Sequence, residues 1–536
     1  MSISTTVIAI PTILATTTMS VLCARENHPL LPVPPRAGFG FPQVYQAYLA
    51  CRRNKRNKPS ALDFELNHEE NLVALVDELR ERRYQPSTSV CFYTSKPKAR
   101  EVFAAAFRDR IVHHLLYTYL LPVWEKIFIP HSYACRPGKG PLAAAQALQK
   151  FLRRVTANGK RTAYFLKMDV RNFFMTINRQ LLFEMLAKHC PHPDELWWLV
   201  RVLVFHDPTK DYVLQDAENL RHRIPKHKTL FGAPPGCGLP IGNLTSQFFA
   251  NVYLNALDQF VKHVLKCRFY LRYVDDFILI ARHRWQLEKW EQAIQEFLKT
   301  MLQLEVHGKM TQIGPVHGGI DFAGYIVRPG YKLVRRRTVG NLQEKLRRFR
   351  PQLVARTASY TAYRFDTDTL DAVFASVNSY LGLFRHAQTA RLVEKLFKQH
   401  EFLQKFFLRK KHKIVRLDQP LRRMRFLRQQ VRWLLRTFPH HLCLIQIGSY
   451  YEAYGWQAEV LHQATGLALN QNWRGFPQAC GFPQKKLSAV LSQLKAQRLP
   501  VVVVEETGHE LRHAKERLIA MMIEYPENEI GQIAKN

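Results

Sequence analysis

The chain predicts a mixed α+β fold organised around an antiparallel sheet, and three features of its 536 residues point there. Residues 269–281, FYLRYVDDFILIA, alternate apolar side chains on both flanks of an adjacent carboxylate pair, Asp275 and Asp276. That is the pattern of a β-hairpin with acids at its tight turn. Residues 164–177, YFLKMDVRNFFMTI, run an apolar strand into a third acid, Asp169. Segments such as 285–302 carry the spacing of amphipathic helices.

The length allows roughly two to four domains with sizeable cores. Lys and Arg number 78 against 43 acids, a net charge of +35. This charge is spread along the chain rather than gathered on one amphipathic helix. It therefore points to nucleic acid as partner and away from a membrane surface. Nine scattered cysteines form no C-x-x-C pair, which fits a reducing cytosol better than a zinc ribbon or a disulfide framework.

Two bare carboxylates between buried strands cost several kcal/mol unless a cation or hydrogen-bond donors compensate. Taken alone, Asp275 and Asp276 read equally well as a surface turn paired with Arg272. Asp169 changes the balance, because three acids on one sheet edge suit two-metal phosphoryl transfer. In that chemistry cations about 3.5–4 Å apart bracket the attacking and leaving oxygens.

The Asp-x-x-x-Phe-Phe strand at 169–174 and the Tyr-Val-Asp-Asp hairpin at 273–276, in this order, resemble reverse transcriptases. The resemblance implies a right-hand polymerase with fingers, a palm holding the antiparallel sheet, and a helical thumb. Asp169, Asp275 and Asp276 would be catalytic. With a backbone carbonyl near Val170 they would hold two Mg²⁺, Mn²⁺ being the alternative. Lys309 matches a family lysine assigned to protonating the leaving pyrophosphate. Lys98 and Arg100 stand in a KPKAR turn, and Arg136 leads the Gly-rich stretch SYACRPGKG. They match fingers residues that hold the incoming nucleotide, and guanidinium groups grip phosphate bidentately. Phe174 matches the position beneath the sugar that excludes a 2′-hydroxyl, implying deoxynucleotides. Phe322, Gly324 and Tyr325, in GIDFAGYIV, resemble the primer-gripping hairpin. Asp109, in FRDR, reads as a structural partner for a neighbouring arginine.

Most reverse transcriptases have Gln-Gly-x-x-x-Ser-Pro in the loop facing template and nucleotide. Here Ile241-Gly242-Asn243-Leu244-Thr245-Ser246-Gln247 is similar to the version in diversity-generating retroelements, whose enzymes copy a template RNA with errors at adenines. Gly242 allows close backbone approach, and Ile241 removes a polar side chain near the forming base pair. Discrimination by shape alone is worth only about 1–3 kcal/mol. Low fidelity is the expectation. Template RNA, a DNA or RNA primer and dNTPs are the implied partners, with a small basic accessory protein of the element and no membrane. The implied setting is the cytoplasm, with a bacterial or phage-encoded chain. The alternatives are an antiphage-defence or group II intron-like reverse transcriptase and, outside enzymes, a nucleic-acid-binding scaffold on an inactive palm.

Residues 441–506 resemble the first, mismatch-recognising domain of MutS proteins, through LIQIGSYYE at 444–452, Cys480-Gly481-Phe482-Pro483, and 499–506. Tyr450 and Glu452 match the aromatic-x-Glu pair that wedges beside a mispaired base in that family. Such elements also carry MutS-like accessory proteins, so a fusion is reasonable. The expected layout is a flexible tail at 1–44 and fingers at 45–160. The palm follows at 161–330, with an insertion at about 178–235. A thumb at 331–400, a basic helical linker at 401–440, a MutS-like domain at 441–510, and a C-terminal helix and tail at 511–536 complete it.

Overall fold

The computed structural model describes residues 39–53, 55–95, 99–190, 193–215, 224–511 and 513–526. They form two compact units that meet in sequence at Lys332 and Leu333. The uncharged stretch at 1–24, Lys98 and the last ten residues lie outside the described residues. Among the described residues no helix is long and apolar enough to cross a membrane.

In the first unit, β1 (Ser89–Thr94) and β2 (Arg100–Ala104) pair antiparallel, and Arg100 is the first residue of β2. Next comes β3 (Tyr164–Asp169), followed by β4 (Tyr212–Leu214), which returns to run parallel to β1. β5 (Phe269–Tyr273), β6 (Asp276–Ala281) and β7 (Gln312–Pro315) join β3 in a four-stranded antiparallel sheet of order β5-β6-β3-β7. Phe277 to Ala281 is buried throughout, because the sheet is covered on both faces. Helix Arg284–Leu302 packs on β3 and β6, and helix Pro141–Val155 packs on β5. A short hairpin of β8 (Ile320–Phe322) and β9 (Tyr325–Val327) ends the unit, and the chain leaves through β10 (Lys332–Val334).

The β5–β6 turn is held from inside. Arg272 and Asp258 are both fully buried, Arg272 on β5 and Asp258 on helix Leu244–Gln259. Arg272 Nε and Nη2 donate to the two Asp258 oxygens at 2.8 and 2.7 Å. Its Nη1 reaches Asn251 Oδ1 (3.1 Å) and the Val274 carbonyl (2.9 Å), and Nη2 reaches Ser132 Oγ (3.2 Å). Tyr270 adds a hydroxyl donor to Asp258 at 2.7 Å. Arg272 is thus the partner of Asp258, not of the turn acids as the surface-turn reading supposed.

In the second unit the strands are β11 (Val354–Arg356), β12 (Thr361–Arg364), β13 (Phe407–Lys410), β14 (Lys413–Arg416), β15 (Leu442–Ile447), β16 (Tyr450–Tyr454), β17 (Leu469–Trp473), β18 (Phe476–Pro483), β19 (Val501–Glu510) and β20 (Lys515–Glu524). All but β13 and β14 make one sheet of order β11-β12-β20-β19-β15-β16-β18-β17. Its one parallel pair is β15 with β19, where the Val501–Val504 run is buried. Helices Trp456–Thr465 and Leu487–Ala496 supply side chains to the core on one face.

Four expectations change here. Helix Phe41–Arg52 begins inside the supposed tail, with Val44 buried. Residues 401–440 are not purely helical, since β13 and β14 form a hairpin there. Residues 515–524 are a strand, not a helix, because pairing with the apolar β19 overrides their helix-forming composition. Residues 361–364, placed in the thumb, pair with that strand and so belong to the same sheet as the MutS-like segment.

Breaking a buried ion pair by removing one partner costs about 3–5 kcal/mol, whereas replacing both by apolar residues is often neutral. Arg272→Ala is therefore expected to lower the thermal unfolding midpoint of the first unit sharply. The double variant Arg272→Met/Asp258→Leu should recover most of that loss in the same calorimetric scan.

Candidate active site

Strand register brings the acids together. Asp169, the last residue of β3, lies directly opposite Asp276, the first of β6. Val274 and Asp275 are the two residues of the turn, since Tyr273 pairs with Asp276. Val274 has φ +58°. For a β-branched residue this is a strained conformation, of the kind that persists only where the surroundings over-determine it. The Arg272 bond to the Val274 carbonyl is that constraint.

Asp275 is half-buried as a residue, and its carboxyl group is the buried part. Its pKa is raised to about 7, first by burial and then by the negative charge of Asp169; Asp276 adds to this and Arg100 opposes it. A carboxylate pair so placed fits a divalent cation, which would supply the missing countercharge. A main-chain ligand is also to hand. Arg171 N–H donates to Glu305 O and His307 N–H to Asp169 O, both at 2.8 Å. Strand alternation then turns the Val170 carbonyl toward the β6 side.

The three carboxylates do not converge as a trio. Among the described residues no group of three His, Cys, Asp or Glu side chains is placed to hold a metal. Asp276 Oδ2 is instead 3.2 Å from Lys167 Nζ. Lys167 precedes Asp169 by two residues and so shares its face of the sheet, diagonal to Asp276. The same ammonium donates to the Asp321 carbonyl in β8 at 2.8 Å. The sequence carried this signal in its period-two alternation, yet Lys167 was not among the residues expected to matter.

The residues expected to face the nucleotide divide into two groups. Arg100, at the start of β2, acts electrostatically on Asp275. Phe174 and Ile241 pack against one apolar cluster with Phe103, Met175 and Leu230. Residues 173–176 are a helical turn rather than an extension of β3, because Asn172 adopts the left-handed conformation that asparagine tolerates. Phe173 consequently enters the core, and Phe174 is left half-buried. Gly242 has φ +137°, and a Cβ there would lie 2.4 Å from the Phe103 carbonyl oxygen. The close approach is to β2, where Phe103 N–H donates to Ile241 O at 2.9 Å. Asn243 Oδ1 accepts from Ala105 N–H at 3.3 Å, tying the residue before helix Leu244–Gln259 to the segment that leaves β2.

Other expected contacts turn inward. Arg136 is buried, with its fork on Glu125 (2.8 and 2.7 Å) and its Nη1 on the Ile129 and Ser132 carbonyls, so its donors are committed before any phosphate arrives. Gln247 accepts from the Cys135 thiol at 2.9 Å. Phe322 and Tyr325 are buried as a cross-strand pair, so of the three expected primer-grip residues only Gly324, in the turn, is partly accessible. The backbone of Lys309 lies in a short 3-10 turn, Gly308–Met310. Asp109 is buried, accepts from Tyr84 and Ser87, and lies beside Arg108. In the second unit Tyr450 is exposed, whereas the Glu452 carboxylate is buried against Tyr454, Trp473 and Arg474. The two do not form a solvent-facing pair.

A raised native carboxyl pKa means that the folded chain keeps a proton the unfolded chain has already released. Metal-free stability is therefore lost as pH rises from the ordinary value of 3.8 toward about 7. Asp275→Asn removes this loss. Its melting temperature, relative to the parent protein, should climb between pH 5 and pH 7 and level off above, as followed by differential scanning fluorimetry without divalent ions.

The family model described as "Reverse transcriptase (RNA-dependent DNA polymerase)" matches residues 95–327, and that described as "MutS domain I" matches residues 426–523. The Escherichia coli (strain K12) protein YkfC is 25% identical over 320 residues, covering 53% of this chain and 78% of the relative. The chain thus carries a reverse transcriptase domain at 95–327, which contains all three aspartates, and a MutS domain I at 426–523.

Proposed function

We propose that the protein is an RNA-directed DNA polymerase of the diversity-generating type, making error-prone cDNA from a template RNA. The observation that carries the polymerase reading is the register of Asp169 against Asp276, with Asp275 at the adjoining turn. In this reading β3, β5, β6 and β7 are the palm, and the β1–β2 hairpin belongs to the fingers. Asp169, Asp275 and the Val170 carbonyl would hold Mg²⁺ or Mn²⁺, which when bound supplies the charge that favours attack of a primer 3′-oxygen on an α-phosphate.

The chain's own groups do the rest. Arg100, on the Asp275 side, meets the triphosphate, with Lys98, two residues before it in sequence. Phe174 excludes a sugar 2′-hydroxyl and so selects dNTPs. Lys167 keeps Asp276 oriented beside the site rather than within the metal set. Lys309 is proposed as the proton donor to pyrophosphate. Net positive charge, including the arginines of helix Arg336–Leu353, supplies phosphate contacts to a template–primer hybrid and makes binding salt-sensitive.

The diversity-generating assignment rests on Ile241. Its side chain joins the apolar cluster that also holds Phe174, so the wall beside the nucleotide is shaped but offers no hydrogen bond. Shape alone discriminates by about 1–3 kcal/mol.

The test is to sequence the RNA that copurifies with the protein, together with cDNA made on a defined RNA. Frequent substitutions opposite adenines are expected, falling about tenfold in Ile241→Gln. Uniformly low error at every base would overturn the diversity-generating assignment. In the same assay Asp169→Asn and Asp275→Asn should each lose more than ~100-fold in dNTP incorporation, the upper end of what outer-shell changes cost. Asp276→Asn should lose less, its carboxylate being committed to Lys167.

A further inference from the structure

The tip of the β17–β18 hairpin in the second unit is built in a way that the Tyr450–Glu452 comparison does not anticipate. Trp473 and Phe476 pair across a turn of Arg474 and Gly475, both with positive φ. The Trp473 side chain is 43% exposed, yet it is fastened: its indole N–H donates to Glu452 Oε2 at 3.3 Å. Arg474 Nε lies 3.4 Å from the same oxygen, and its guanidinium sits 5.6 Å from the Trp473 ring centroid. Arg428 lies directly against the turn, since a Cβ on Gly475 would fall 1.8 Å from its Nη2. Arg428 belongs to residues 421–437, which carry six arginines and no acid.

A large, fastened aromatic side chain held out to solvent, with one guanidinium over it and another at the adjoining turn, is an arrangement that takes a base by stacking and its phosphates by charge. Glu452 is the group that orients it. Its carboxylate is occupied by Trp473, Arg474 and Tyr454 and is not available to a base.

We infer that Trp473, flanked by Arg474 and Arg428, forms a stacking site for an unpaired base of single-stranded nucleic acid, distinct from the Tyr450–Glu452 pair. An apolar protein partner fits less well, because one guanidinium lies over the exposed ring and a second lies against the turn beside it. The inference is independent of polymerase activity and stands or falls on the second unit alone.

The experiment uses the full chain and short oligonucleotides carrying one 5-iodouracil, in an RNA arm and a DNA arm. Irradiation is followed by mass-spectrometric mapping of the adduct. The expected result is an adduct on Trp473, retained in Trp473→Phe and absent in Trp473→Ala. Its yield should fall about tenfold in Arg474→Gln, the scale of one lost charge-assisted stacking contact. The arm that labels identifies the polymer, and labelling in both assigns both. Adducts on Tyr450 with Trp473 untouched would overturn the inference. So would adducts confined to residues 39–332, because the oligonucleotide would then be bound elsewhere.

Discussion

The catalytic end of the first unit depends on the buried fork of Arg272 on Asp258. A guanidinium at zero exposure survives only with every donor placed, and here the placements do structural work in three directions. They tie the strand of the hairpin to helix Leu244–Gln259, reach the loop at Ser132, and clamp the carbonyl of a turn residue whose backbone is strained. Without that clamp nothing local would keep valine at φ +58°, and Asp275 would not be held where it meets the charge of Asp169. Backbone strain and carboxylate crowding are two costs at one point, and the arginine of the ion pair beneath holds the strained backbone.

The negative charge at this point is graded rather than uniform. Asp276 is paired within the chain with Lys167, and Asp169 supplies the larger negative charge that presses on Asp275. A cation from solution therefore has its largest effect on the second pair. The Lys167 ammonium also bonds to the Asp321 carbonyl, so the carboxylate end of the sheet and the β8–β9 hairpin share a charge contact. The same logic recurs in the second unit, where a buried glutamate holds an exposed tryptophan and an arginine in place rather than meeting a ligand itself.

Much of this was legible in the sequence because it is local. Period-two alternation marked β3, β5 and β6, and acids at the ends of apolar runs marked the sheet edge where they meet. Gly242 was readable as a close approach, although not the strand it approaches. What escaped was set by distant partners. Arg136 looks like a phosphate ligand until Glu125, on the preceding helix, takes its fork. Glu452 follows a motif, but its burial comes from a hairpin tip about twenty residues further on. Residues 515–524 have helix-forming composition and become a strand only because β19 and β12 flank them. Asn172, by entering the left-handed region, turned Phe173 and Phe174 from a strand into a helical turn.

The most direct measurement is a titration of the purified full chain with Mn²⁺, followed by the fall in its free-ion EPR signal. Tight binding to the parent protein, weakened at least about tenfold in Asp169→Asn and in Asp275→Asn, is the result that follows from two carboxylates sharing one charge deficit. Binding that is unchanged in both variants would contradict the account at its centre.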